Sequence, residues 1–138
     1  MKSYVKLFGP SIIEALLVLE TITIEYPKVC MMSRAIIDDI PPHLGNDIGI
    51  MKSSKLPSND IPKLGLTDWV MNYTRYRGLT VSHERCMTLI SKEGSDLGEY
   101  DFFYEWLEEP SYAQITELIG KIDTKLSPTG CMYTLITK

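Results

Sequence analysis

The chain has 138 residues, 44% of them hydrophobic and 23% charged, with 9 Gly and 8 Pro; that size and composition support one packed core and exclude disordered, collagen-like and low-complexity classes. Lys and Arg number 14 against 18 Asp and Glu, a net charge of −4, which argues against a dedicated nucleic-acid binder because such proteins draw affinity from cations on phosphate. The longest apolar run, Ile12 to Ile24, is interrupted by Glu14 and Glu20 and is too short and too charged to cross a bilayer or form a signal core, so a cytoplasmic location with no membrane contact is expected.

In chain order, Ser3 to Phe8 has the β-branched and aromatic content of a strand. Pro10-Ser11-Ile12-Ile13-Glu14 then opens a helix: Ser11 is placed to cap it, Glu14 to reach back to the cap, and Pro27 to stop it. Ile12, Ile13, Leu16, Leu17, Leu19 and Ile22 form its broad apolar surface. Val29 to Ile37 reads as the next strand. About one hundred residues later the same devices return. Tyr100 to Leu107 is strand-like, Pro110-Ser111-Tyr112-Ala113-Gln114 repeats the helix start, the helix runs to about Leu126 before Pro128, and Cys131 to Thr137 forms a last strand. Pro27 to Met31 and Pro128 to Met132 share a Cys-Met step.

Two βαβ units, 3–37 and 100–137, describe a split βαβ or ferredoxin-like plait, an α+β fold in one domain spanning 1–138. Residues 38–99 are then an insertion where the plain fold needs only a hairpin. Within it, Asp38 to Pro62 is rich in turn residues and reads as an ordered loop. Thr67 to Arg77 reads as a short helix capped by Thr67 and closed by Gly78. Arg85 to Ser91 reads as a fifth strand. In Tyr100 to Leu107, alternation places Tyr100, Phe102, Tyr104 and Trp106 on one face and Asp101, Phe103, Glu105 and Leu107 on the other. A helix over Glu99–Glu109 is the competing reading.

Charge divides unevenly along the chain. Residues 51–92 carry seven basic and three acidic groups, whereas Glu93 to Glu109 holds seven carboxylates and no Lys or Arg. The expected arrangement is intramolecular, with the acidic segment facing the basic middle.

Three constellations carry candidate chemistry. Cys30-Met31, Cys86-Met87 and Cys131-Met132 are soft ligand pairs, yet neighbours on a strand point to opposite faces and no C-x-x-C joins two thiols, so reduced, core-packed cysteines and no metal are expected. His83 with Cys86 has nucleophile–base composition, but on a strand residues three apart point opposite ways. His43 precedes Gly45 and Gly49 in a G-x-x-x-G loop that matches no phosphate-binding fingerprint. The third constellation, Tyr73-Thr74-Arg75-Tyr76-Arg77-Gly78, interleaves cations with flat rings suited to gripping and stacking on an anion.

The function expected from these features is a non-catalytic regulatory or anion-binding module. Tyr73, Arg75, Tyr76, Arg77 and His83 are its ligand-binding residues, no cofactor is assigned, and protomers pair as a dimer through the aromatic face of the sheet. A small enzyme using His43 or His83 as general base and a structural subunit of a larger assembly are the alternatives.

Overall fold

The computed structural model describes residues 1–51 and 64–138. The part of the 38–62 loop reading that includes Pro57 and Pro62 lies outside the described residues. Strand β1 (Lys2–Phe8) leads into α1 (Ile12–Glu25) and β2 (Val29–Ser33); α2 (Arg34–Asp39) and a 3-10 segment Pro42–Ile48 follow. Next come α3 (Leu66–Tyr76), α4 (His83–Leu89), a 3-10 segment Gly94–Leu97, β3 (Phe102–Trp106), α5 (Tyr112–Leu126) and β4 (Met132–Thr137). The fold is mixed α and β. The four strands among the described residues form one antiparallel sheet in the order β2-β3-β1-β4. Each βαβ unit is split: β3 lies between β1 and β2, and β1 lies between β3 and β4.

The helices α1 and α5 lie side by side, joined by Lys125 Nζ to Glu25 at 2.8 Å and by the Tyr26 hydroxyl donating to Glu117 at 3.3 Å. Beneath them, Phe102, Tyr104 and Trp106 of β3 share a face with Ser3 and Val5 of β1, as the pleat demands. Their polar tips are satisfied inside the core. The Tyr104 hydroxyl donates to the Leu19 carbonyl, and Trp106 Nε1 donates to Ser3 Oγ. Phe103, on the opposite face, is fully buried as well, so the expected pairing of protomers through an aromatic sheet face is corrected: the chain uses both faces of β3 for its own core.

Only one of the two helix starts forms the cap that the repeat suggests. Ser111 accepts from Gln114 N while the Gln114 side chain accepts from Ser111 N, a complete capping box. Ser11 makes no side-chain cap. The end of α1 is secured from a distance instead, by Arg85 Nη2 donating to the carbonyls of Thr23, Tyr26 and Val29. The Thr23 and Tyr26 carbonyls lie at the C-terminal end of α1 and the Val29 carbonyl opens β2, so one guanidinium ties the helix end to the strand that follows it.

Three boundaries differ from the sequence reading, and each has a local cause. Strand β2 stops at Ser33 rather than Ile37, because the Ser33 side chain accepts from Ala35 N and starts α2. The expected fifth strand over Arg85–Ser91 is a helix: Ser82 Oγ accepts from Arg85 N, and Cys86 and Leu89 are buried at helical spacing. Ile90 and Ser91 meet the sheet edge through a parallel bridge of Ile90 to Met31 and Ser91 N donating to Met31 O at 2.7 Å. In α3, Gly65 rather than Thr67 occupies the cap, while Gly78 closes the helix at φ +76.

The insertion also covers the far face of the sheet over β2 and β3. Here Gly49 and Gly94 are required by close approach: a Cβ on Gly49 would lie 2.3 Å from the Lys92 carbonyl, and one on Gly94 would lie 2.5 Å from the Ile48 carbonyl. Among the described residues, the ion pairs of the acidic segment go to β1 and not to the basic middle. Lys2 pairs with Glu93 and with Asp96, and Lys6 lies 3.6 Å from Asp101. Arg34 donates to the carbonyls of Gly98 and Tyr100.

Leu16 is buried on α1 whereas Ile13, expected to face the sheet, is 68% exposed. Leu16→Ala should cost about 2–5 kcal/mol in urea denaturation as a core truncation. Ile13→Ala should stay within about 0.5 kcal/mol of the parent, as an exposed substitution does.

Candidate functional site

Glu20 lies on the buried side of α1, one turn after Leu16, and is only 3% exposed. A carboxylate in that position must find donors, because an unpaired buried charge is far costlier than the apolar contacts it displaces. Three side chains from two regions supply them. The Tyr73 hydroxyl donates to Oε1 at 2.7 Å and Arg77 Nη1 to the same oxygen at 2.8 Å, both from the α3 region; Ser33 Oγ donates to Oε2 at 3.0 Å from the β2–α2 junction.

Helical spacing produces this convergence. Trp69, Tyr73 and Arg77 recur every four residues, so they form one row along α3. The Trp69 and Tyr73 rings stack at 4.9 Å, and the Arg77 guanidinium lies 3.9 Å from the Tyr73 ring centre, a cation–π contact that holds the guanidinium flat.

Tyr73 and Arg77 of this row line two cavities. One is a small pocket of about 110 Å³, lined also by Leu17, Glu20, Ile24, Met31 and Leu79. The other is an open groove of about 550 Å³ between Ile13 and Leu17 of α1, Ala35, Asp38 and Asp39 of α2, and Tyr73, Tyr76 and Arg77. Leu17, Tyr73 and Arg77 belong to both. A further pocket of about 200 Å³ around Pro27, Trp106 and Gln114 contains none of the sequence-predicted residues.

Three of those five residues therefore meet in one place. Tyr73 is buried at the neck, Arg77 is partly buried beside it, and Tyr76 is 94% exposed at the groove's rim. Arg75 is not brought in: two residues from Arg77 on a helix is more than half a turn, and the Arg75 side chain is exposed, with no hydrogen bond or ion pair to it among the described residues. His83 opens α4, exposed, and lines neither cavity. Sequence reasoning missed Glu20 and Ser33. The available signal was a charge inside the apolar stripe Leu16, Leu19, Thr23 of α1, where a lone carboxylate requires partners.

The other candidate groups have structural tasks. Cys30 is buried, its Sγ donating to Glu105 at 3.2 Å, and burial together with that carboxylate pushes the thiol pKa up to about 12. Burial also raises the Cys86 thiol. The helix α4 does bring His83 and Cys86 to neighbouring positions, but Cys86 faces the core while His83 faces solvent. His43 Nε2 donates to the Leu64 carbonyl at 2.9 Å. Among the described residues no group of three or more His, Cys, Asp or Glu is placed to hold a metal, and no helix is long and apolar enough to cross a membrane. Compared with protein-family models, curated proteins and solved structures, the chain matches none.

Burial raises the Glu20 pKa, and the bonds from Tyr73, Arg77 and Ser33 offset only part of that rise. Ionised Glu20 is thus less favourable in the folded chain than in the unfolded one. The stability contributed by its protonated form is complete below the ordinary carboxylate range and is lost as pH rises through the elevated pKa. Glu20→Gln keeps an acceptor for Tyr73 and Arg77 and removes the titration. Its urea midpoint should therefore gain on the parent's as pH is raised from acid to neutral; a difference that stays flat would show that Glu20 titrates alike in both states.

Proposed function

We propose that the chain is a non-catalytic binding module, a ferredoxin-like plait acting as a homo-oligomer, that takes a small molecule bearing an anionic group in the groove between α1, α2 and α3. The strand order β2-β3-β1-β4, with long helices after β1 and β3, supports the plait. The observation that carries the ligand reading is the guanidinium of Arg77, held against Tyr73 at the neck of the two cavities. Glu20 occupies Nη1, and a guanidinium has further donors in its planar fork with which to grip a carboxylate or phosphate.

Tyr76 supplies a flat apolar surface at the rim, and Ile13 and Leu17 supply an apolar wall, the composition of a small-molecule site with few but directed polar groups. Asp38 and Asp39 set a limit on the anion. They favour a ligand whose negative charge is confined to the Arg77 end and whose body is neutral. The Cys30 and Cys86 thiols do not favour catalysis, since a raised pKa removes the nucleophilic thiolate. Neither histidine lines the two cavities around Arg77.

A titration of the purified protein with inorganic phosphate and a panel of aromatic and aliphatic carboxylates, read by calorimetry, tests this reading. At least one should bind the parent, Arg77→Lys should weaken it about tenfold by losing the planar fork, and Arg75→Ala should leave affinity unchanged. No binding by any member, or equal affinity in Arg77→Lys, would remove the groove as an anion site.

A further inference from the structure

We infer that two copies of the chain join through the outer edge of β4, so that one antiparallel sheet runs across the dimer; this rests on the homo-oligomeric part of the function proposed above and names its surface. Among the described residues the edge is open by hydrogen-bond phase. Lys2 and Lys138 exchange both backbone bonds, Lys2 N to Lys138 O at 3.0 Å and Lys138 N to Lys2 O at 2.9 Å. Alternation along an antiparallel pair carries that inward phase to Ile136, Thr134 and Met132. The N–H and C=O groups of Tyr133, Leu135 and Thr137 consequently point away from β1, and β4 is the last strand of the sheet.

The chain treats its two sheet edges differently. At β2 the edge is closed by the Ile90 bridge and by Ser91 N donating to Met31 O. At β4 the sequence Met132-Tyr133-Thr134-Leu135-Ile136-Thr137 contains no charge and no proline, the devices by which natural edge strands discourage pairing. The first flanking charge, Lys138, is turned over the Tyr4 and Tyr100 rings, 5.4 and 5.8 Å from their centres.

A second copy is the occupant that this edge fits. With a twofold axis at Leu135, Leu135 faces its own counterpart and Tyr133 faces Thr137 of the second copy, so every outward donor and acceptor meets the matching group. On the far face the same axis sets Thr134 opposite Ile136. Phe8 and Met132, register partners on β1 and β4, extend an apolar margin along the seam; Met132 is 73% exposed and Phe8 and Ile136 are about half exposed. A neutral strand brings no like charges together, although each copy carries −4.

The experiment combines light scattering with amide exchange on the parent, Ile136→Lys, Thr134→Lys and, as a control at the opposite edge, the exposed Met87→Lys. The parent and Met87→Lys should run at twice the 15.7 kDa chain mass, with the Tyr133, Leu135 and Thr137 amides protected. Both β4 variants should run as folded monomers in which those three amides exchange freely. A dimer that survives Ile136→Lys and Thr134→Lys, with those amides unprotected in the parent, overturns this surface and leaves homo-oligomerisation standing. A parent that stays monomeric at high micromolar concentration overturns both, including when β4 pairs with a strand of an unlike protein. If Ile136→Lys does not fold, Thr134→Lys and the parent's amide exchange decide the matter.

Discussion

The position of the insertion depends on one buried carboxylate. Glu20 receives Tyr73 and Arg77 from the α3 region and Ser33 from the end of β2, so a single side chain ties α1 of the framework to the strand end and to the inserted helix. A buried ion pair is a poor source of net stability, because desolvation consumes most of its Coulombic gain. Its value here is geometric. Once Glu20 is inside, an arrangement of α3 that withdraws Tyr73 and Arg77 leaves a charge without adequate partners, and that penalty selects the observed placement over other apolar packings of the same helix.

The remainder of the insertion is held by contacts of a different kind. Backbone runs against backbone at Gly49 and Gly94, where any side chain would collide with a carbonyl, and Lys2 reaches Glu93 and Asp96 from the sheet. These contacts cover the far face at β2 and β3. Toward β4 the cover ends, leaving Phe8, Met132 and Ile136 exposed. The same long connection that complicates the topology therefore makes the sheet asymmetric, with one shielded half and one bare margin.

The framework was legible because its signals are long or redundant. The Ser111–Gln114 box, the apolar periodicity of α1 and α5 and the alternation in Phe102–Trp106 each involve several residues that agree. The errors fall where a short segment was judged on composition. Arg85 to Ser91 is too short for its apolar residues to separate a strand from a helix, and the deciding group, Ser82, lies just outside it. Ile36 and Ile37 have strand propensity, yet Ser33 turns the chain into α2 before them. At the site, residue types were readable and phase was not. Tyr73 and Arg77 share a helical row with Trp69, which excludes Arg75, and their common partner Glu20 lies more than fifty residues earlier, a relation that only tertiary packing creates.

That packing couples the groove to the core. Arg77 is partly exposed on the groove side while its Nη1 is bonded to a carboxylate that is almost wholly buried. An anion arriving at the guanidinium adds negative charge next to Glu20, whose ionised form is already disfavoured by burial. The electrostatic response that would restore balance is uptake of a proton by Glu20, which could then still receive Arg77 and Tyr73 on its carbonyl oxygen. If an anion binds there as proposed, its occupancy and Glu20 protonation would be linked in the thermodynamic sense, each raising the other's affinity by the same factor. The buried carboxylate that positions the inserted helix is in this way also the group through which a ligand at Arg77 would be felt by α1 and β2.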